Sequence, residues 1–419
     1  MRRKTLGIYI LVILLANSAF AQRTKKIKQI RSPHQELSYT DKNYIPEIKT
    51  VQFYNAEKEQ SLPIIHLGTN ELLELSFDDL RADIRSFFFT IEHCDVNWNK
   101  SNLSVLEYSS GYGEERINNS TSSRNTLQAY THYQTQFPTR NTTPLISGNY
   151  LLKVYEDADQ RRLIITRRFY VAEDKSIIEG KLSRPLDVKL RQTHQKINIT
   201  IDTKDLPINN PSRDIRVLVM QNSRQDVQLW GNNPSNIRDS KFTYNHPNLF
   251  NFEGGQEFIL VDLRSFRLES SMMKRLTIDS INNVELITDD YLDNLVYKET
   301  PDENGRFYIR NLDQQDQSAN LTDYAEVLFT LNSSPQEEEI YLLGGFNNFS
   351  RTEENKMQYD EELKIWKIKK SLKQGVYDYL YASGSAPSFY ETKNTYQVLV
   401  YYRNPRLNRD EIIGFYELK

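Results

Sequence analysis

Hydrophobic and polar residues alternate along most of this chain with a period of two, the signature of strands with one buried face. In ELLELSFDDL, Leu73, Leu75 and Phe77 alternate with Leu72, Glu74 and Ser76. The same pattern places Ile197, Ile199 and Ile201 on one face of QKINITIDT, and Ile215, Val217 and Val219 on one face of DIRVLVMQN. Tyr377, Tyr379 and Tyr381 share a face in VYDYLYA, as do Tyr396, Val398, Val400 and Tyr402 in TYQVLVYY. SGNYLLKVYED and RRLIITRRFYV are two further strand runs joined by turn residues. No long amphipathic helix and no internal repeat interrupts the pattern. The prediction is an all-β chain of tandem antiparallel β-sandwiches, immunoglobulin-like in style.

The first residues read differently. Arg2, Arg3 and Lys4 precede the apolar run Leu6 to Leu15, and Ala19-Phe20-Ala21 is a small-x-small cleavage site. That run is too short to span a bilayer as a helix. The expectation is a signal peptide over 1–21, cleaved after Ala21, and an exported protein with no transmembrane segment once it is removed. Residues 22–42, opening QRTKKIKQIR, are polar and basic and read as a flexible lead-in. Pattern and turn letters then divide the chain into a first β-sandwich over 43–173, a second over 174–311, a polar linker over 312–322 and a C-terminal sandwich over 323–419.

Composition sharpens this picture in two ways. At roughly 100–200 residues per domain, 419 residues hold two to four domains. The chain carries 26 Tyr and 19 Phe, residues that favour pleated, half-buried surfaces. A net charge of -3 gives no basic footprint for nucleic acid. The single cysteine rules out an intramolecular disulfide.

That cysteine sits in IEHCDVNW, where His93, Cys94 and Asp95 are consecutive. Neighbours in a strand point to opposite faces, so His93 and Cys94 cannot converge on one reacting atom. Cys94 reads as a small buried hydrophobe. Zinc sites need repeated Cys or His at short spacing, which is lacking here. The sequence has no glycine-rich phosphate loop, no H-E-x-x-H and no G-x-S-x-G. DENGRF reads as a hairpin turn rather than a calcium loop. A two-carboxylate glycosidase pair stays open, because carboxylates are plentiful and none is singled out. The expectation is a protein that is not an enzyme and needs no cofactor or metal.

IYLLGGFNNFS, MQYD, KIWKI, LKQGVYDYLYA and TKNTYQVLV together resemble a glycogen-binding-type immunoglobulin module. Binding members of that type present exposed tryptophans. Here Phe349 follows FNN, and Trp366 in KIWKI reads as core-facing. A periplasmic carbohydrate-binding protein is therefore the alternative reading.

A wider resemblance covers residues 45 to 416. LSFDDL, IEHCDVNWNKSNL, EYSSGYGEERINNSTSSRNTLQAYTHYQTQFP, SGNYLLKVYED and RRFYVAED are followed in order by NPSRDIRVLVMQNSRQD, GGQEFILVDLRS, DENGRFYI, LKQGVYDYLYA and TYQVLVYYRNPRLNRDEIIG. This succession resembles the type IX secretion system plug protein family. The resemblance implies a non-enzymatic periplasmic protein held at the inner side of the outer membrane. It implies a partner, the outer-membrane translocon β-barrel, whose periplasmic mouth the plug binds as a monomer and whose pore it seals when no cargo is engaged. Tyr and Arg are favoured interface anchors, and the polar stretch from Asn97 to Arg140 reads as a long loop. The expected contact residues are Tyr108, Tyr112, Arg116, Arg124, Tyr130 and Tyr133.

Overall fold

A computed structural model describes residues 30–419 except 112, 205, 207, 291–295, 315–318, 336–337 and 385. The expected signal peptide, its cleavage site and residues 22–29 lie outside the described residues. Strands dominate, and the described helices are single turns. Every alternation read above is realised. Leu73, Leu75 and Phe77 face the first core, the Ile197–Ile201 and Ile215–Val219 faces meet in the second, and Tyr377, Tyr379 and Tyr381 lie in the third.

Three pairs of sheet surfaces enclose these cores. The first is closed by strands Ile48–Asn55, Leu73–Asp79, Thr131–Phe137 and Asn119–Ser122 on one side. Its other side is Leu163–Ala172, Gly148–Glu156, Phe87–Cys94 and Glu114–Arg116. The second packs a sheet built on His194–Asp202 against Gln228–Gly231, Ile215–Gln221, Tyr396–Asn404 and Arg409–Leu418. The third packs the Gly375–Ala382 sheet against the Tyr324–Leu331 and Ile365–Lys373 sheet.

Strand pairing does not follow the boundaries expected from sequence. Tyr396–Asn404 pairs in full register with Ile215–Gln221, so the C-terminal hairpin completes the second sandwich rather than the third. Conversely, Ile259–Asp262, Asn282–Leu286 and Phe307–Ile309 pair with Gly375–Ala382 or Tyr324–Leu331 and build the third. Alternation identifies a strand and its buried face, but the partner across the ladder is a non-local choice that period two does not encode.

Two more expectations are corrected. Part of the lead-in is docked: Lys42–Asn43 pairs with Leu163–Ala172, and Asp41 Oδ1 accepts the Arg168 backbone N–H at 2.7 Å. The stretch from Asn97 to Arg140 is not one loop. It holds a helical turn at Val105–Tyr108 and three strands, Glu114–Arg116, Asn119–Ser122 and Thr131–Phe137.

One sheet runs through two of the sandwiches. Leu163–Ala172 meets Arg409–Leu418 in parallel at Ala172 and Ile412, and this joins the halves into ten strands. The face opposite the two cores carries Cys94, Leu151, Tyr170, Leu218, Met220, Leu399, Tyr401 and Ile412, all buried. Each alternates with a neighbour in one of the cores, as Leu151 does with Tyr150 and Leu152. The result is an apolar seam between the first and second sandwiches.

Candidate functional site

The IEHCDVNW stretch is structural. Cys94 is 1% exposed inside that seam, and burial with the nearby Glu92 carboxylate pushes its thiol up to about 12. A thiol so protonated is a poor nucleophile. His93 faces the other way, between Tyr108 and Tyr150 at ring distances of 6.1 and 5.1 Å. Burial pulls its imidazole down to about 4, so it is neutral near pH 7. Asp95 shapes the following turn: its Oδ1 accepts the backbone N–H groups of Asn97 and Asn99 at 2.9 and 2.8 Å. Among the described residues no three His, Cys, Asp or Glu side chains gather in a metal-ligating group.

The six expected contact residues fall into three sets. Tyr108, Tyr130 and Tyr133 are 4%, 1% and 0% exposed and cannot touch a partner directly. Tyr133 stacks on Phe77 in the first core, and its hydroxyl accepts the Arg85 backbone N–H at 2.7 Å. Arg116 and Arg124 are exposed, so the structure leaves them available. Tyr112 lies outside the described residues. An excess of Tyr in a polar stretch was read as binding surface. Tyr108, Tyr130 and Tyr133 instead bury their rings, and the Tyr130 and Tyr133 hydroxyls bond backbone groups.

Tyr130 points to what sequence reasoning missed. Its hydroxyl donates to the Ala319 and Thr322 carbonyls at 2.7 and 2.6 Å, and its ring packs edge-on against Tyr324. The described end of the expected linker is thus pinned to the first sandwich. The Arg124 N–H reaches the Asn320 carbonyl at 2.9 Å, and the Leu127 N–H reaches Asp323 Oδ2 at 2.8 Å.

Beneath these contacts lies a buried polar clamp between the first and third sandwiches. Lys373 Nζ meets Asp78 Oδ2 at 2.6 Å, and each side chain is 1% exposed. The same carboxylate accepts the Tyr324 hydroxyl at 2.5 Å and sits 2.7 Å from His132 Nδ1. Thr50 bonds the Tyr324 hydroxyl at 2.7 Å, and the Lys373 ammonium lies 4.1 Å from the Tyr130 ring centre. Burial alone would raise Asp78, but the Lys373 charge and the His132 contact outweigh it and hold the carboxyl below its ordinary range. Nearer the surface, Arg310 grips Glu59 with both guanidinium nitrogens, at 3.1 and 2.5 Å. Asp78 belongs to LSFDDL, and His132 lies in the stretch ending AYTHYQTQFP, both among the segments that carry the family resemblance. Nothing in the sequence paired them with Lys373, 295 residues from Asp78.

The two aromatic positions considered for glycan stacking are occupied. Trp366 is 8% exposed and packs against Tyr359, and the Arg224 guanidinium lies 4.5 Å over the Phe349 ring.

The family description "Type 9 secretion system plug protein 1st domain" matches residues 48–173, the span of the first sandwich. The chain belongs to the type IX secretion system plug protein family. The crystal structure of a hypothetical protein from Parabacteroides merdae is similar over 91% of this chain and 100% of its own, with 30% identity and a TM-score of 0.87. No curated protein matches the chain. Family membership gives this plug protein a role in type IX secretion, a partner within that system and an envelope-associated place. No helix among its described residues is long and apolar enough to cross a membrane.

Proposed function

We propose that this plug protein is exported to the periplasm by a cleaved signal peptide. There it binds, as a monomer, the periplasmic mouth of the outer-membrane translocon barrel and seals the pore while no cargo is engaged. It performs no catalysis. The match of the first sandwich to the plug family carries this reading. Physical economy supports it as well. A wide pore is closed only by a rigid body with a broad face, and sandwiches fused by an apolar seam and a buried polar clamp form such a body. A cap that cargo must displace also needs a modest, polar interface. Arg116 and Arg124, both exposed, suit that role.

The test is affinity capture of the tagged chain from detergent-solubilised envelopes, with mass spectrometry of what accompanies it. The expected result is an outer-membrane barrel of translocon size, and dye or antibiotic leakage in a strain lacking the plug. Recovery of soluble proteins or glycans alone would overturn the assignment.

A further inference from the structure

The third sandwich leaves one strand edge open beside a cleft. Ile259–Asp262 is the last strand of its sheet, and among the described residues it pairs on one side only, with Gly375–Ala382. The Leu263 N–H donates to the Gly375 carbonyl at 2.8 Å, which sets the alternation of the ladder. Ile259 and Val261 therefore bond toward Gly375–Ala382, and Leu260 and Asp262 turn their N–H and C=O groups to the open side. Just outside the strand such groups are engaged. The Phe258 N–H goes to Asp302 Oδ2 at 2.6 Å, and the Arg264 carbonyl accepts the Leu312 N–H at 2.9 Å. The backbone groups of Leu260 and Asp262 make no hydrogen bond among the described residues. An edge of this kind is a template for one more strand.

A cleft of about 400 Å³ lies along that edge, lined by residues 256–260 together with Met272, Asp289, Asp290, Lys298 and Phe389. Ile259, Leu260, Met272 and Phe389 are only half-buried, so the cleft offers apolar contact. It shares no residue with the Asp78–Lys373 clamp.

The charge in the cleft is one-sided. Glu257, Asp289 and Asp290 line it against Lys298, the one cation among its described residues. None of the three carboxylates has an ion-pair partner among the described residues. Glu257 accepts the Tyr297 hydroxyl at 2.6 Å and the Lys393 backbone N–H at 3.1 Å. The Lys393 charge reaches Glu257, but its ammonium is bound to Glu299. Asp289 Oδ2 accepts the Tyr379 and Tyr381 hydroxyls at 2.9 and 2.6 Å, and Asp290 Oδ1 accepts the Asn332 side-chain amide at 2.8 Å. Burial pushes the Glu257 and Asp289 carboxyls above their ordinary range, and the Asp290 charge adds to the effect on Asp289. Asp290 itself is exposed. A cation entering here meets unneutralised carboxylates.

We propose that this edge and cleft bind an extended, basic segment of a partner polypeptide. The segment adds as a strand beside Ile259–Asp262 and takes up the free backbone groups of Leu260 and Asp262. A Lys or Arg side chain lays its aliphatic stem along Leu260, Met272 and Phe389 and brings its charge to Asp289 and Asp290. Main-chain hydrogen bonds supply the affinity, and the cationic side chain supplies the selection. Binding here needs only the edge and the charge, so it stands whether or not the chain seals a translocon.

The test uses the whole protein and blocked hexapeptides of Val and Thr, each with one Lys at a different position, read by fluorescence polarisation. At least one of them is expected to bind saturably, and about tenfold more tightly than its Glu counterpart. Methylating alternate backbone nitrogens of that peptide should abolish binding, because the methylated strand cannot pair. Leu260→Pro removes an N–H that pairs nothing, at a place where an edge strand accepts proline. It should fold and bind the Lys peptide at least about tenfold more weakly. If it fails to fold, Asp290→Lys at the exposed rim decides: it should weaken the Lys peptide several-fold and strengthen the Glu peptide. Three results would overturn the proposal: no saturable binding by any Lys peptide, equal affinity for the Lys and Glu peptides, or undiminished binding of the methylated peptide. An unmoved affinity in Asp290→Lys would count equally against it.

Discussion

The first sandwich is joined to its two neighbours in opposite ways. Toward the second it uses an apolar seam, where Leu151, Leu218, Leu399 and Ile412 close over one face of a shared sheet. Toward the third it uses the Asp78–Lys373 clamp, with Tyr324 and His132 as further donors to one carboxylate. The apolar seam tolerates change gradually, because its strength is spread over buried area. The clamp tolerates it poorly. Its net contribution to stability is modest, but removing either partner strands a charge with no access to water. The comparison suggests a division of labour: the apolar seam makes two sandwiches inseparable, and the clamp fixes how the third is set against the first.

The sharpest way to break the comparison is to remove one charge. Lys373→Met should destabilise the chain by about 3–5 kcal/mol in denaturant unfolding, whereas Asp78→Leu combined with Lys373→Met should lose clearly less than the sum of the single changes. Additive losses would show that the pair is not coupled. In the apolar seam, Leu399→Ala removes a side chain that is 0% exposed and should lose about 3 kcal/mol through the cavity it leaves. It has no compensating second change of the clamp's kind.

pH separates the regions further. Burial depresses His93 from 6.5 to about 4, so the unfolded chain takes up a proton that the folded chain refuses. Stability therefore falls as pH drops through that window, by roughly 3 kcal/mol in total. His93→Phe, which keeps a ring beside Tyr150, should flatten the slope, and an unchanged slope would remove His93 as its source. Asp78 acts lower. Its folded carboxyl lies below the ordinary 3.8, so the clamp's contribution is present above that value and is lost only in stronger acid. The smallest expected change in stability is at the surface. Arg116→Ala with Arg124→Ala should alter it by less than about 0.5 kcal/mol while lowering copurification with the translocon. Unchanged copurification would argue against both as contacts.

What could be read from sequence followed from local periodicity. Period two identified the buried faces of Leu73 to Phe77 and Tyr377 to Tyr381, because those faces are set by neighbours two residues apart. It also freed Cys94 and His93 from a catalytic reading, which their opposite-facing burial supports. It could not place Tyr396–Asn404 beside Ile215–Gln221, or Lys373 beside Asp78, since those meetings are decided by chain closure over hundreds of residues. Three of the expected contact residues are buried for a related reason. Composition alone points Tyr108, Tyr130 and Tyr133 outward, but an amphipathic ring is equally at home in a core, and the Tyr130 and Tyr133 hydroxyls find backbone carbonyls there.

The central claim is that His34–Lys419 behaves as one compact unit in which the seam and the clamp couple all three sandwiches. Scanning calorimetry of the chain beside Lys373→Met tests it most directly. The account predicts a single transition in the parent, with calorimetric and van't Hoff enthalpies equal, and a separate earlier transition for the third sandwich in the variant. Two or more resolved transitions in the parent would contradict it.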